Sequence, residues 1–422
     1  MCHRIPAQTC LKYCFLFAVQ RSCEKNIINC PRPLSRNLSR KCRETPENDS
    51  EYSEKHEDNL KTCYNYSMDN NSAFSPTFTI TPEIMNTILE IERLRERVRQ
   101  GVILPVHEVE LRYRATVESV HSSTSIEGNP LTLRQTEAVL DGHEARLSRS
   151  KIAETEVTNY RDALNHISER ARTGRPISEA DVLTIHYLIT QSLLDPSRVG
   201  HFRKNPVYVE SSSGELVYTA ASPASVRQKV SDLLEWLTDK HELHPLIRAA
   251  LFHLQFVSIH PFADGNGRTT RALTTLYLAL THYDFRGSLA LDTYFSSERQ
   301  AYYQALRAEG DTFAAREAAD ATPWVEYFLA GVLACAKVLA AEISVLSTAV
   351  GRTNIERPKI TRDQMDILDY VERFGEITAA EVDEILTGGR RTAQRKIKEL
   401  VDLGYLIKIG ASRDIRYTKH VD

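Results

Sequence analysis

The sequence predicts a mainly α-helical chain with one β-hairpin in its middle and a small helix-and-strand module at its C-terminus. Three observations carry this expectation. Apolar residues recur at helical spacing from about residue 79 to 350; the stretch Asn205 to Ala221 switches to strand-like spacing; and beyond Pro358 three helical stretches precede two strand-like ones. With 422 residues, 42% hydrophobic and 26% charged, the chain is long enough for two or three packed domains. A formal net charge of -3 excludes a globally basic nucleic-acid binder, so such a partner would have to meet a local patch.

Residues 1–75 read as a disordered tail, rich in Ser, Asn, Arg and acidic residues and without sustained periodicity. It holds Cys2, Cys10, Cys14, Cys23, Cys30, Cys42 and Cys63, leaving Cys335 alone in the remainder. The irregular gaps lack the paired short spacing of a zinc site, and the uneven distribution sets the tail apart from a reduced, cytoplasmic body. The apolar stretch Tyr13 to Val19 is short and no small-x-small cleavage site follows it, so secretion is not expected. Nor is membrane insertion: the best candidate, Tyr327 to Ala341, is interrupted by Lys337 beside Glu342 and reads as a buried amphipathic helix.

Residues 76–150 read as an N-terminal helical region, with Ile84, Ile88, Ile91 and Leu94 marking one face and Leu111, Ala115 and Val120 another. Ser123 to Gly128 looks locally like a helix end, Gly128 capping it and Asn129-Pro130 blocking continuation, while Thr132 and Gln135 offer a capping box for the next helix. Residues 151–350 read as the main core. Within it Pro206-Val207-Tyr208-Val209, a Ser211-Ser212-Ser213-Gly214 turn and Leu216-Val217-Tyr218 form the hairpin.

Chemistry is concentrated in His260-Pro261-Phe262-Ala263-Asp264-Gly265-Asn266-Gly267-Arg268-Thr269-Thr270-Arg271, a loop opening onto a helix. Gly265 and Gly267 permit backbone conformations that other residues resist, and exposed amides at the helix start form an anion nest. Arg268 and Arg271, three apart, emerge near that same end to meet phosphate oxygens. Asp264 is a hard oxygen ligand suited to Mg²⁺, and His260 is suited to taking a proton near neutral pH.

This segment resembles the signature of the Fic family (Fido superfamily), H-P-F-x-[DE]-G-N-G-R-x-x-R, at every defined position. The resemblance covers roughly residues 79 to 345 and implies a Fic helical core with a β-hairpin flap that pairs with target peptide through Val207, Tyr208 and Val209. It implies that Tyr302, Tyr303 and Leu306 lie in a nucleoside-binding region and that Glu156 to Leu164 is a core helix. The activity implied is transfer of AMP from MgATP to a Ser, Thr or Tyr hydroxyl of a protein substrate, self-modification included. In it His260 is the base, Asp264 holds Mg²⁺, the amides around Gly265, Asn266 and Gly267 with Arg268 stabilise charge, and Arg271 holds the γ-phosphate. Relatives move UMP, phosphocholine or phosphate instead. Ser123-Thr124-Ser125-Ile126-Glu127-Gly128 is similar to the family's inhibitory motif, [ST]-x-x-x-E-[GN], which implies an inhibitory helix at about 119–128 whose Glu127 occupies Arg271. It also implies a second role for Glu127, positioning water to remove AMP, and family habit implies a homodimer. The flap exit, Ala220-Ala221-Ser222-Pro223, departs from the consecutive prolines common in relatives.

Residues 358–422 follow a linker at Gly351 to Lys359 and resemble a winged helix-turn-helix: helices at Thr361 to Glu372, Ala379 to Leu386 and Thr392 to Leu403, then a wing of Tyr405 to Ile409 and Arg413 to Tyr417. Between Gly388 and Lys419 there are nine Lys or Arg against three Asp or Glu, with Arg390, Arg391, Arg395 and Lys396 clustered on the last helix as candidate DNA contacts. An alternative reading is therefore a DNA-binding regulator whose core senses nucleotide, though intact His260 and Asp264 favour an enzyme. His241-Glu242-Leu243-His244 spaces its histidines three apart instead of the four a zinc-protease helix needs, and no G-x-x-x-x-G-K-[ST] loop is present.

Overall fold

The computed structural model describes residues 74–142, 151–210, 216–239, 243–308, 310–352, 360–386, 389–410 and 415–419. The expected disordered tail, the hairpin turn at 211–214 and most of the linker at 351–359 thus lie outside the described residues. At one point the tail expectation is corrected: Phe74 is buried, its ring edge-on to Trp236 at 5.1 Å.

Helix α1 (Pro82–Gln100) starts where the Thr81 hydroxyl accepts the Ile84 amide and Pro82 occupies the first turn. Helix α2 (Pro105–Ile126) ends on Glu127, followed by Gly128 at φ 97, a conformation that favours glycine. It begins at Pro105 and buries the predicted face of Leu111, Ala115 and Val120 together with Val109, so the stretch expected at about 119–128 is the C-terminal part of one longer helix. Thr132 and Gln135 close the predicted capping box of α3 (Leu133–Leu140). Helices α4 (Lys151–Ala171) and α5 (Glu179–Thr190) are tied by Arg170, which donates to both carboxylate oxygens of Asp181 at 2.6 and 2.9 Å.

Strands β1 (Tyr208–Glu210) and β2 (Leu216–Thr219) form the predicted antiparallel hairpin, Tyr208 opposite Thr219 and Val209 opposite Tyr218. Helix α6 (Val226–Thr238) follows. Helix α7 (Pro245–Ile259) is the centre of the molecule, buried continuously from Ala249 to Ile259, with α8 (Asn266–Leu280) packed along it. Then come α9 (Leu291–Ser297), α10 (Arg299–Ala308), α11 (Phe313–Ala318) and α12 (Thr322–Arg352). Helix α12 corrects the expectation drawn from Tyr327 to Ala341: among the described residues it is long and apolar enough to cross a membrane, judged by length and composition. One of its faces, including Trp324, Phe328, Val332 and Ile343, is packed into the core.

The C-terminal module contains α13 (Arg362–Phe374), β3 (Glu376–Ile377), α14 (Ala379–Ile385), α15 (Arg390–Asp402), β4 (Leu406–Ile409) and β5 (Arg416–Lys419), with sheet order β3-β5-β4. Strand β3 is additional to the expected pair, and the last strand lies at 416–419, later than the expected 413–417. Its own hydrophobic core joins Ile367, Val371, Ile397 and Leu406 to Val109 of α2. Arg112 of α2 reaches Asp369 at 2.9 Å, and Arg172 reaches Asp366 at 2.8 Å. The module is thereby seated on the N-terminal half of α2.

Candidate active site

Helix α7 delivers His260 at its C-terminus in the left-handed region, φ 53 and ψ 59. Arg203 holds this turn: its Nε donates to the His260 carbonyl at 2.7 Å and its amide to the Pro261 carbonyl at 3.0 Å. The imidazole Nδ1 lies 3.1 Å from the Val257 carbonyl, which can only accept, so Nδ1 carries the proton and Nε2 is left as the acceptor. Burial, with the charges of Arg203 and Arg316, lowers its pKa to about 4 against the opposing Val257 bond and Glu127. His260 is neutral at physiological pH, the form a base requires.

The loop after His260 is braced from two sides. The Asn266 side chain accepts the Phe262 amide at 2.8 Å and donates to the Phe262 carbonyl at 2.9 Å. His186 of α5 stacks on the Phe262 ring, with centroids 3.6 Å apart and planes 5° off parallel. It accepts the Gly200 amide on Nδ1 at 3.0 Å, so Nε2–H donates to the Asp264 carbonyl at 3.1 Å. The Asp264 side chain itself points outward, 62% exposed.

Gly265 begins α8 at φ 76 without a side-chain cap, leaving first-turn amides free for an anion. Above them lie the two arginines. Arg268 is buried; its Nη1 donates to Glu156 at 3.1 Å, while its Nε has no partner among the described residues. Arg271 is 3% exposed, and α2 grips it three times: Nε donates to the Ser123 hydroxyl at 2.8 Å, and Nη2 to the Ser123 carbonyl at 3.0 Å and to Glu127 Oε1 at 2.7 Å. Burial works against the charge on Glu127, yet the Arg271 guanidinium holds its carboxyl below the usual range. The same carboxylate lies over the helix start, where its Oε1 leaves no room for a Cβ on Gly267. A cavity of about 310 Å³ lies elsewhere, between α2, α9 and α12, lined by Leu111, Glu118, Ala290 and Cys335 among others.

No cluster of three metal-ligating side chains occurs among the described residues. Asp264 alone fits a Mg²⁺ held mostly by phosphates and water, since it presents one exposed hard oxygen donor beside the anion nest.

The structure brings His260, Asp264, Gly265, Asn266, Gly267, Arg268, Arg271, Ser123, Glu127 and Gly128 into one site. The nucleoside residues are placed differently. Tyr302 is fully buried, its hydroxyl shared with His253 Nε2 at 3.0 Å and its ring on Phe295, and Leu306 is buried too, so both stand behind the site wall. Tyr303 reaches it, donating to the Ile126 carbonyl at 3.2 Å. In the flap Tyr208 is 57% exposed, Val209 packs on the core, and β1 is the outer strand of the pair, while β2 bridges to Thr312.

In the C-terminal module Arg390, Arg391 and Arg395 are exposed on α15. Lys396 is corrected: it is buried and donates to the Thr361 hydroxyl at 2.9 Å, since it shares a face with Ala393, Ile397 and Leu400.

Sequence reasoning missed His186, Arg203, Asp292 and the bracing role of Glu156. Glu156 accepts from Arg268 and, at 2.8 Å, from the Asn129 amide nitrogen just beyond the Glu127 turn. Asp292 of α9 lies 3.4 Å from Arg271 Nε. None of these sits in a motif; each is defined by a contact across many residues of chain.

Residues 176–278 match the model of the Fic/DOC family, so the chain carries a Fic domain. Among curated proteins it is similar to the protein adenylyltransferase Fic of Drosophila virilis, 30% identical over 48% of this chain and 42% of that one. It is also similar to the protein adenylyltransferase fic-1 of Caenorhabditis elegans, 34% identical over 38% of this chain and 31% of that one. The chain therefore spans less than half the length of these relatives. Among solved structures it is similar to a Fic family protein from Desulfovibrio desulfuricans G20, with TM-score 0.54 and 25% identity over 82% of this chain and 98% of that one.

Proposed function

We propose that this chain, on the premise of its Fic domain, is a protein adenylyltransferase that moves AMP from MgATP to a Ser, Thr or Tyr hydroxyl of a target protein and of itself, and that Glu127 holds it inhibited. The observation that supports this best is the Glu127 carboxylate paired with Arg271 over Gly267, where an anion would otherwise meet the helix start. A carboxylate stationed there is a stand-in for phosphate. The name adenylyltransferase borne by the curated relatives supports AMP as the group moved.

In this mechanism His260 Nε2 accepts the proton of the target hydroxyl. The hydroxyl oxygen bonds to the α-phosphorus of ATP as the α–β bridging P–O bond breaks, and pyrophosphate leaves in line. First-turn amides of α8 and the unpartnered Arg268 Nε bind phosphate oxygens, and Arg271, once released, holds the γ-phosphate. Asp264 would hold Mg²⁺, which when bound neutralises phosphate charge. The exposed edge of β1 positions the acceptor segment by strand pairing. Glu127 also takes the second role of positioning water for AMP removal.

The test is incubation of the Glu127→Gly protein with ATP labelled at the α or the γ position. Label entering protein from the α position alone is expected. Label from the γ position would make the protein a kinase, and none from either would favour a nucleotide sensor.

A second reading concerns the C-terminal module, where the exposed Arg390, Arg391 and Arg395 on one helix support DNA-phosphate contact. Affinity for duplex DNA should fall steeply with salt, and Arg390→Ala with Arg391→Ala should flatten the logarithmic slope by about two units. Failure to retain DNA at low salt would assign the face to protein contacts.

A further inference from the structure

Arg271 has two carboxylates within ion-pair distance among the described residues, and they differ in kind. Glu127 comes from the C-terminal end of α2, as do both Ser123 contacts, so all three grips belong to one element. Asp292 comes from α9, on the core side. It is 3% exposed, 3.4 Å from Arg271 Nε and 3.5 Å from the Tyr160 hydroxyl, which donates to it. When the Glu127 side chain gives way to a nucleotide, the charged contact from α2 is lost, and the charge that stays beside Arg271 is Asp292.

We propose that Asp292 is the positioning residue of the γ-phosphate arginine: a fixed buried counter-charge that keeps Arg271 aimed into the site after Glu127 has withdrawn. The proposal rests on the adenylyltransferase reading above. With Ser123 taking the Nε–H and the buried Asp292 carboxylate 3.4 Å from that same nitrogen, the Nη edge can be offered to a second anion, so one planar side chain can serve both Asp292 and phosphate. Burial raises the Asp292 carboxyl while Arg271 opposes the shift, as expected of a group whose ionisation depends on this partner.

Because Arg271 is assigned to the γ-phosphate, Asp292 should matter to ATP and not to ADP. Calorimetric titration of the full-length Glu127→Gly protein with each nucleotide, Mg²⁺ present throughout, reads this without turnover. In Glu127→Gly with Asp292→Asn, the preference for ATP over ADP should fall roughly tenfold with ADP affinity unchanged. On an Arg271→Ala background, Asp292→Asn should cause no further loss. An undiminished preference overturns the proposal, and so does equal weakening of ATP and ADP, which would make Asp292 a packing residue. If the Asn variant does not fold, Asp292→Ser, which keeps a small hydrogen-bonding side chain without charge, is read the same way. Absence of any ATP preference in Glu127→Gly with Asp292 intact would instead sink the γ-phosphate role of Arg271, and the proposal with it.

Discussion

Glu127→Gly is expected to raise modification of protein, self-modification included, tenfold or more over a nearly inert wild type. Glu127 supplies one of the three α2 contacts to Arg271, and it is the charged one. A charge-assisted hydrogen bond at a partly buried site is worth about 1.5–3 kcal/mol, which converts to roughly ten- to hundredfold in rate when it must break before phosphate enters. Space matters as well as charge, because Glu127 Oε1 sits where the anion would lie over Gly267. Glu127→Gln, which keeps the volume and loses the charge, should therefore fall between wild type and Glu127→Gly. If Gln matches Gly, charge alone holds the site closed; if neither exceeds wild type, autoinhibition is wrong. Offering purified AMP-modified target to both forms separates faster transfer from slower removal.

The second large effect belongs to His260. In the Glu127→Gly background, His260→Ala should lower turnover by about 10²- to 10⁴-fold, the contribution of a positioned general base. Nucleotide affinity should barely change, because Nε2 is the free nitrogen and its partner is the incoming hydroxyl. Turnover within a few-fold of the parent would remove His260 from the role. A parallel loss of ATP binding would mean instead that the turn held by Arg203 had collapsed.

Much of the site was legible because it is local. His260 to Arg271 occupies one loop and one helix turn, and short-range geometry carries it from sequence to structure with little help from the rest of the fold. The hairpin and the capping box of Thr132 were readable for the same reason. What escaped depends on distance. Asp292, Glu156 and His186 reach the site from α9, α4 and α5, and nothing around them in sequence distinguishes them from ordinary polar residues on short or amphipathic helices. The α2 face is readable from Leu111, Ala115 and Val120, but its start is not, since Glu108, Glu110 and Arg112 surround the buried Val109 in sequence. Lys396 failed conversely, since charge count overrode its place between Ala393 and Leu400 on the inward face. Strand β3, two residues long, carries too little pattern to be seen.

The seating of the C-terminal module on α2 makes the catalytic core and its appendage inseparable as objects of measurement. One rod of 22 residues, roughly 33 Å long, is wall material for the appended core at Val109 and leads into the latch at Glu127. A shortened protein ending before residue 360 would strip Arg112 of Asp369 and bare Val109 to water, so its α2 would stand on an altered footing. On the proposed reading, a ligand of the module that shifted α2 enough to alter the Arg271–Glu127 pairing would be bound more or less tightly by the same factor as that pairing changes. If Glu127 holds the site closed as proposed, an assay of the bare core would therefore read it on a differently seated α2 than an assay of the whole chain.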